Sequence, residues 1–281
     1  MMVQIAKVVG RCDHRSRLSS VTAAIKEHGN QKEWGVALTL LRDASQQGVQ
    51  LDTFLYNVAI NACRKARQWQ QALLLIGEIA HVKLVPDVIS YSSGISACER
   101  EGQWHQALSL LSEATSTRLK PDVIMYSAGI SACEKGGRWQ HALRLFDEMC
   151  VVKLEPNVVC FSAGISCCGT CGQWTHALLL LTELRAVRLE PDTISYNAAV
   201  SACTKSGLWQ QALSLLNYMV ESQVQLDSAS YSSGMSACEK GVQWTQALSL
   251  LSEMLEAELE ADTICYSAGV SACVKGWHWQ Q

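Results

Sequence analysis

Proline is nearly missing from this chain of 281 residues, which contains only Pro86, Pro121, Pro156 and Pro191. These four stand 35 residues apart, so the scarcity is itself ordered. Long apolar runs are missing too. No stretch of about 18 apolar residues occurs, which excludes a membrane-spanning helix, and no membrane partner is expected. An excess of positive charge is absent: the formal net charge is −3. Nonspecific nucleic-acid binders are usually basic, so the balance argues against that class. The seven histidines never gather around a carboxylate or a nucleophile, which speaks against a hydrolase. The chain therefore reads as a non-enzyme that needs no cofactor.

Cysteine is abundant, at thirteen residues. Seven of them, Cys63, Cys98, Cys133, Cys168, Cys203, Cys238 and Cys273, fall at one 35-residue spacing. Such residues occupy equivalent points of successive units, each buried in its own unit, where Cys acts as a small apolar side chain. A reducing compartment fits this use better than a disulfide framework does. Cys168 and Cys171 form a CxxC with Cys160 and Cys167 nearby, but a zinc site needs a second such pair. No metal is expected.

Tryptophan sets the register. Trp34, Trp69, Trp104, Trp139, Trp174, Trp209, Trp244 and Trp279 repeat every 35 residues, and Trp277 is extra. A fixed period of this size marks a solenoid of stacked units. Seven full units follow, at 18–52, 53–87, 88–122, 123–157, 158–192, 193–227 and 228–262. An eighth begins at Thr263 and stops at Gln281. Each unit reads as two helices. In 88–122 the first covers roughly Ile89 to Arg100, Gly102 breaks it, and the second starts near Trp104. Ala107, Leu108, Leu110 and Leu111 lie on one side of that second helix. Leu119 to Asp122 turns the chain into the next unit. The tryptophans sit at the seam between the helices and read as packing residues.

On a helical wheel of about 100° per residue, positions 4, 7, 8 and 11 of the first helix share one side. These are Tyr91, Gly94, Ile95 and Cys98 in one unit, and Tyr126, Gly129, Ile130 and Cys133 in the next. Positions 2, 5, 9 and 13 share the other side. Position 2 is apolar: Phe54, Ile89, Ile124, Val159, Ile194 and Ile264. Position 5 is small and polar: Thr22, Asn57, Ser92, Ser127, Ser162, Asn197, Ser232 and Ser267. Position 13 is basic: Lys65, Arg100, Lys135, Lys205, Lys240 and Lys275, with Asn30 and Thr170 as exceptions. Stacking turns these into three parallel ladders. A merely solvated face would vary freely in size and charge, and position 5 does not. Glu113, Glu148, Glu155 and Glu190 lie in or after the second helices, so an acidic chain can still carry a basic groove.

The units VIMYSAGISACEKGGRWQHALRLFDEMCVVKLEPN and TISYNAAVSACTKSGLWQQALSLLNYMVESQVQLD resemble the pentatricopeptide repeat. The likeness runs from residue 18 to 281. It rests on the 35-residue length, Tyr at position 4, Ala-Leu at 20–21, Glu and Met near 26–27, and Pro-Asp at 34–35. Uniform units are similar to the family's P class. The tetratricopeptide alternative has a 34-residue period and would lose this register. The resemblance implies an all-α, right-handed superhelical solenoid with first helices on the concave side. It implies single-stranded RNA as partner, other proteins of RNA metabolism as further partners, and an organelle, chloroplast or mitochondrion, as the place of work. It also implies one base per repeat. Positions 5 and 35 select the base, position 2 side chains clamp it, and cations meet phosphates.

Carried over, Thr22 with Asp52 resembles a G reader, and Asn57 with Asp87 a U reader. Ser92 with Asp122 resembles G, and Ser127 with Asn157 resembles A. Ser162 with Asp192 resembles G, Asn197 with Asp227 resembles U, and Ser232 with Asp262 resembles G. Ser267 has no partner at position 35. The implied target is 5′-GUGAGUG-3′.

Some units depart from the pattern. The first has Ser19 at position 2, Val21 at position 4 and His28 at position 11, and reads as a cap. The seventh has Ala229 at position 2, and only four units keep Pro at position 34. These should read more weakly. Residues 1–17, with Lys7, Arg11, Arg15 and Arg17 against Asp13, read as the remnant of a targeting segment. The incomplete eighth unit suggests a piece of a longer array, with Trp277 and Trp279 exposed at a frayed end. The rival reading is a helical-repeat scaffold for protein–protein interaction, which predicts an irregular surface with scattered large anchors.

Overall fold

A computed structural model describes residues 14–117 and 119–276. The described residues form fifteen helices and no strand, an all-α repeat array. The first helices of successive repeats are α1 (His14–Asn30), α3 (Thr53–Lys65), α5 (Val88–Arg100), α7 (Val123–Lys135), α9 (Val158–Thr170), α11 (Thr193–Lys205), α13 (Ser228–Lys240) and α15 (Thr263–Lys275). The second helices are α2 (Trp34–Gln46), α4 (Trp69–His81), α6 (Trp104–Ser116), α8 (Trp139–Val151), α10 (Trp174–Ala186), α12 (Trp209–Glu221) and α14 (Trp244–Glu256). The expected starts of the helices in unit 88–122 agree to within one residue. No described helix is long and apolar enough to cross a membrane.

The chain divides into two compact units on either side of Gly136. Inside each, a first helix packs on its own second helix and on the first helix of the next repeat. First helices are therefore covered on two sides. Tyr91, Ile95 and Cys98 are buried as the wheel requires, but so are Ser90 and Ala97 at positions 3 and 10. Second helices bury a narrower stripe: Ala107, Leu110, Leu111 and Ala114 in α6, with Leu108 only half-buried.

Local chemistry stops each helix at the same place. From α3 onward every first helix starts behind an Asp or Asn N-cap, whose side chain accepts from the third helical N–H. Helices end on a bond that spans five residues: Gln103 N–H donates to the Cys98 carbonyl at 2.9 Å, and Leu154 N–H to that of Met149 at 2.9 Å. That geometry needs a left-handed residue at position 15. Gly102, Gly137, Gly172 and Gly207 supply it, while Val242 adopts φ 56° there despite its branched side chain.

The tryptophans are wedges between repeats. A Cβ on Gly136 would come within 2.4 Å of Trp104, and one on Gly241 within 2.4 Å of Trp209, so each indole lies on the backbone ending the next first helix. The seven repeat cysteines are buried core residues, and burial pushes the thiols of Cys98, Cys133 and Cys168 up to about 12. At the C-terminal end Tyr266, Val270 and Val274 of α15 are exposed. Trp277 and Trp279 lie outside the described residues.

Two substitutions should shift stability in opposite directions. Val242→Gly removes left-handed strain and should stabilise by about 1 kcal/mol. Gly169→Ala places a methyl 2.5 Å from the Ala198 carbonyl oxygen, and backbone cannot yield cheaply. It should cost about 1–3 kcal/mol. Chemical denaturation midpoints measure both, and a stabilised Gly169→Ala would show that α9 and α11 have room to separate.

Candidate nucleic-acid interface

The position 2 ladder stands where the wheel puts it. Phe54, Ile89, Ile124, Val159, Ile194 and Ile264 are each between 55% and 65% exposed. Exposed apolar residues occur elsewhere, among them Val82, Val152 and Val187 at position 30, but there they alternate with Thr117 and Ser222. Only position 2 leaves a large apolar side chain in water in nearly every repeat. Ser19 and Ala229 are the exceptions, as expected.

Position 5 lies one helical turn further on, so it shares the face of position 2. Its partner at position 35 is the N-cap of the following first helix. Asp87 accepts from Ser90 N–H at 2.8 Å and Asp122 from Met125 N–H at 2.9 Å. Asn157 accepts from Cys160 N–H at 2.9 Å, so its amide replaces the carboxylate without loss of the cap. Asp52, Asp192, Asp227 and Asp262 make the same bond. Capping therefore explains position 35 on its own, and it also brings a carboxylate to the tip of the next helix.

In three repeats that carboxylate meets position 5. The Asn57 amide donates to both Asp87 oxygens, at 3.0 and 3.1 Å. The Asn197 amide donates to Asp227 at 2.9 Å. The Ser162 hydroxyl approaches Asp192 at 3.3 Å while donating to the Val158 carbonyl at 2.8 Å. Four of the other five hydroxyls turn to their own helix: Thr22 donates to Leu18, Ser92 to Ile89, Ser127 to Ile124 and Ser267 to Ile264, while Ser232 meets the Cys265 thiol.

A third residue distinguishes the two sets, and sequence reasoning missed it. Wherever position 5 is tied to position 35, position 3 of the next repeat is a fully buried serine: Ser90, Ser195 or Ser230. The Ser90 hydroxyl donates to Asn57 Oδ1 at 2.6 Å, and Ser230 to Asn197 Oδ1 at 2.7 Å. Ser195 lies 2.9 Å from the Ser162 hydroxyl. Behind Thr22 and Ser92 the same place holds Leu55 and Met125. The signal was present as alternation of Ser with Leu, Met and Cys at position 3. Burial pushes the Asp227 carboxyl up, but bonds from Ser230, from Asn197 and from its own backbone outweigh that and hold it below the usual carboxylate range.

The position 13 cations reach back to the preceding repeat. Lys135 pairs with Glu99 and Lys275 with Glu239, both at 2.9 Å. Lys205 donates to the Gly169 and Thr170 carbonyls at 3.2 and 3.0 Å, and Lys240 to Thr204 at 3.0 Å. Lys65 donates to Asn30 at 2.5 Å, and Arg100 is exposed at the end of α5. A cation at a helix C-terminus complements the helix dipole. These residues tie neighbouring repeats together at the edge of the same face.

The "Pentatricopeptide repeat domain" model matches residues 39–100 and 109–171. The "PPR repeat family" model matches 191–240, and the "PPR repeat" model 89–116. Together they cover more than half of the chain. No curated protein is matched. Among solved structures, the pentatricopeptide repeat protein PPR10 from maize aligns over 99% of this chain and 44% of its own, at 18% identity and TM-score 0.62. Its complex with an 18-nt psaJ RNA element aligns at 15% identity and TM-score 0.57, over 99% of this chain and 45% of that one. The PPR domain of Arabidopsis thaliana protein-only RNase P 1, solved with tRNA, aligns over 62% of this chain and 91% of its own, at 18% identity and TM-score 0.56. This chain thus spans less than half the length of the maize protein. With the period, the helix pairs and these matches together, the chain belongs to the pentatricopeptide repeat family.

Proposed function

We propose that this chain binds single-stranded RNA, one base per repeat, and that it acts by binding and not by catalysis. The observation that carries the reading is the pairing of position 5 with position 35, framed by exposed apolar side chains at position 2. Each unit then offers a short polar pair for a base edge and an apolar surface for a base face. In the Asn units the amide keeps one N–H and one oxygen lone pair free, the complement of the N3–H and a carbonyl of uracil. That the relatives solved with RNA share this fold supports the same partner here.

Phosphates are contacted by the position 13 cations. A lysine bonded to a helix end keeps further N–H donors and its full charge, so the structural tie and the phosphate contact are compatible. The place of action is an organelle, chloroplast or mitochondrion, and the outcome is protection, processing or translation of a transcript. The units remain those beginning at residues 18, 53, 88, 123, 158, 193, 228 and 263.

RNA containing GUGAGUG should bind more tightly than scrambled RNA of equal length. A mismatched unit typically costs ~1–3 kcal/mol in specific recognition. Filter binding at one stated salt concentration measures this. Equal affinity for both RNAs would remove the modular reading and leave the protein-scaffold reading in its place.

Asn157→Asp keeps the oxygen that caps α9 and replaces the amide NH2, a donor, with a carboxylate oxygen, an acceptor. Preference at the fourth base should move from A toward G. A fourth base that stays A in competition binding would show that Asn157 caps its helix and reads nothing.

A further inference from the structure

The pair of residues assigned to each base leaves one problem open. A side-chain amide is ambivalent. In one orientation its N–H and oxygen match the acceptor and donor of uracil, and after a half-turn they match the donor and acceptor of cytosine. Something must hold the amide one way round if an Asn unit is to tell U from C.

The geometry points to Ser90 and Ser230 as that something: we propose that they are positioning residues for base selection, each locking the amide of the preceding repeat. The inference rests on the RNA-binding reading above. At Asn57 the carboxylate of Asp87 can only accept, so the nitrogen side must face it. The Ser90 hydroxyl, with one proton to give, lies 2.6 Å from the amide oxygen and 3.0 Å from Asp87 Oδ1, so the shorter contact is the one to the amide. The serine oxygen in turn accepts from the Asp87 backbone N–H at 3.2 Å. Flipping the amide would set its NH2 against the serine and its oxygen against the carboxylate. Asn197, Asp227 and Ser230 repeat the ring: the Ser230 hydroxyl lies 2.7 Å from Asn197 Oδ1 and 2.8 Å from Asp227 Oδ1, its one proton shared between them, and it accepts from Asp227 N–H at 3.2 Å. Both serines are fully buried, so neither touches the base itself.

A purely structural role would not require this arrangement. Leu55, Met125 and Cys265 fill the same position behind hydroxyl residues, where there is no amide to orient, and the N-cap bond survives in each. Serine stands behind both Asn residues of position 5. It also stands behind Ser162, where Ser195 takes the same place.

The test uses the full chain and four RNAs that differ only at the second base of GUGAGUG, with substitutions at the fourth base as internal reference. Ser90→Ala should lower the preference for U over C at the second base about threefold to tenfold, the worth of one neutral hydrogen bond, and leave the fourth-base preference unchanged. Ser230→Ala should do the same at the sixth base. Ser90→Cys keeps the volume and a weak donor, and should fall between. If Ser90→Ala folds poorly, the milder Ser90→Cys and the independent Ser230→Ala carry the test, each read as a ratio of U to C binding, which loss of folded protein lowers equally in both. Unchanged ratios in all the variants, with the parent protein preferring U at the second base, overturn the lock alone. A parent protein with no base preference overturns the modular reading, and the lock with it.

Discussion

From α3 onward one side chain per repeat, Asp or Asn, caps a helix, and in three repeats it carries a second obligation toward position 5. As an N-cap it satisfies the backbone at the start of the next first helix, a contribution of about 1 kcal/mol that recurs in every unit. As a neighbour of position 5 it orients a polar side chain of the helix before it. The first obligation fixes where the carboxylate sits. The second follows because consecutive first helices pack side by side, so the tip of one lies beside the first turn of the other. A polar pair split over about 30 residues of sequence is thus assembled by a helix cap, with no loop to hold it. Asn157 shows that an amide caps as well as a carboxylate does.

The packing behind this face explains the composition. A helix covered on two sides has little room, and beside its Tyr and Ile or Met the residues that face its neighbours are Ala, Gly, Cys and Ser. Gly94 and Gly164 lie against Ile76 and Phe146, where a Cβ would overlap the neighbouring side chain, at 2.4 and 2.5 Å, and force it to shift. The cysteines belong to this economy of volume. Burial pushes the thiols of Cys63, Cys168, Cys203 and Cys238 up to about 11 or 12, far from the reactive range, so the CxxC at Cys168 and Cys171 is read as one core residue and one helix-end residue. The Cys171 sulfur leans on the Gly137 carbonyl at 3.5 Å.

Much of this was legible beforehand, because a period repeats its own evidence. The Trp register located each second helix, and the apolar and basic rows located the outward face of each first helix. What escaped was the second buried side. A wheel drawn for one helix assigns it one buried face, whereas a helix between neighbours has two. Position 10 was therefore unremarked although Ala97, Ala132 and Ala202 are fully buried. The same omission hid Ser90, Ser195 and Ser230, because a serine in sequence looks like a surface residue until its partners are placed around it. Leu108 erred the other way: it shares the stripe of the second helix but lies at its edge.

The basic row shows how an acidic chain can present a favourable edge. In Lys205 and Lys240 the ammonium group sits on the carbonyls that end the helix before it, and in Lys135 and Lys275 it sits beside a glutamate. The two settings are not equivalent for a polyanion. A carbonyl dipole leaves the cation's net charge intact, whereas a glutamate cancels most of it at any distance beyond the pair. Lys205 and Lys240 therefore keep their net charge, whereas Lys135 and Lys275 lose most of theirs to ion pairs between repeats. The alternation follows position 12, where Gly169 and Thr204 leave a carbonyl open and Glu99 and Glu239 supply a carboxylate. Net charge along the position 13 row is thus set less by how many cations it holds than by which residue precedes each of them on the neighbouring helix.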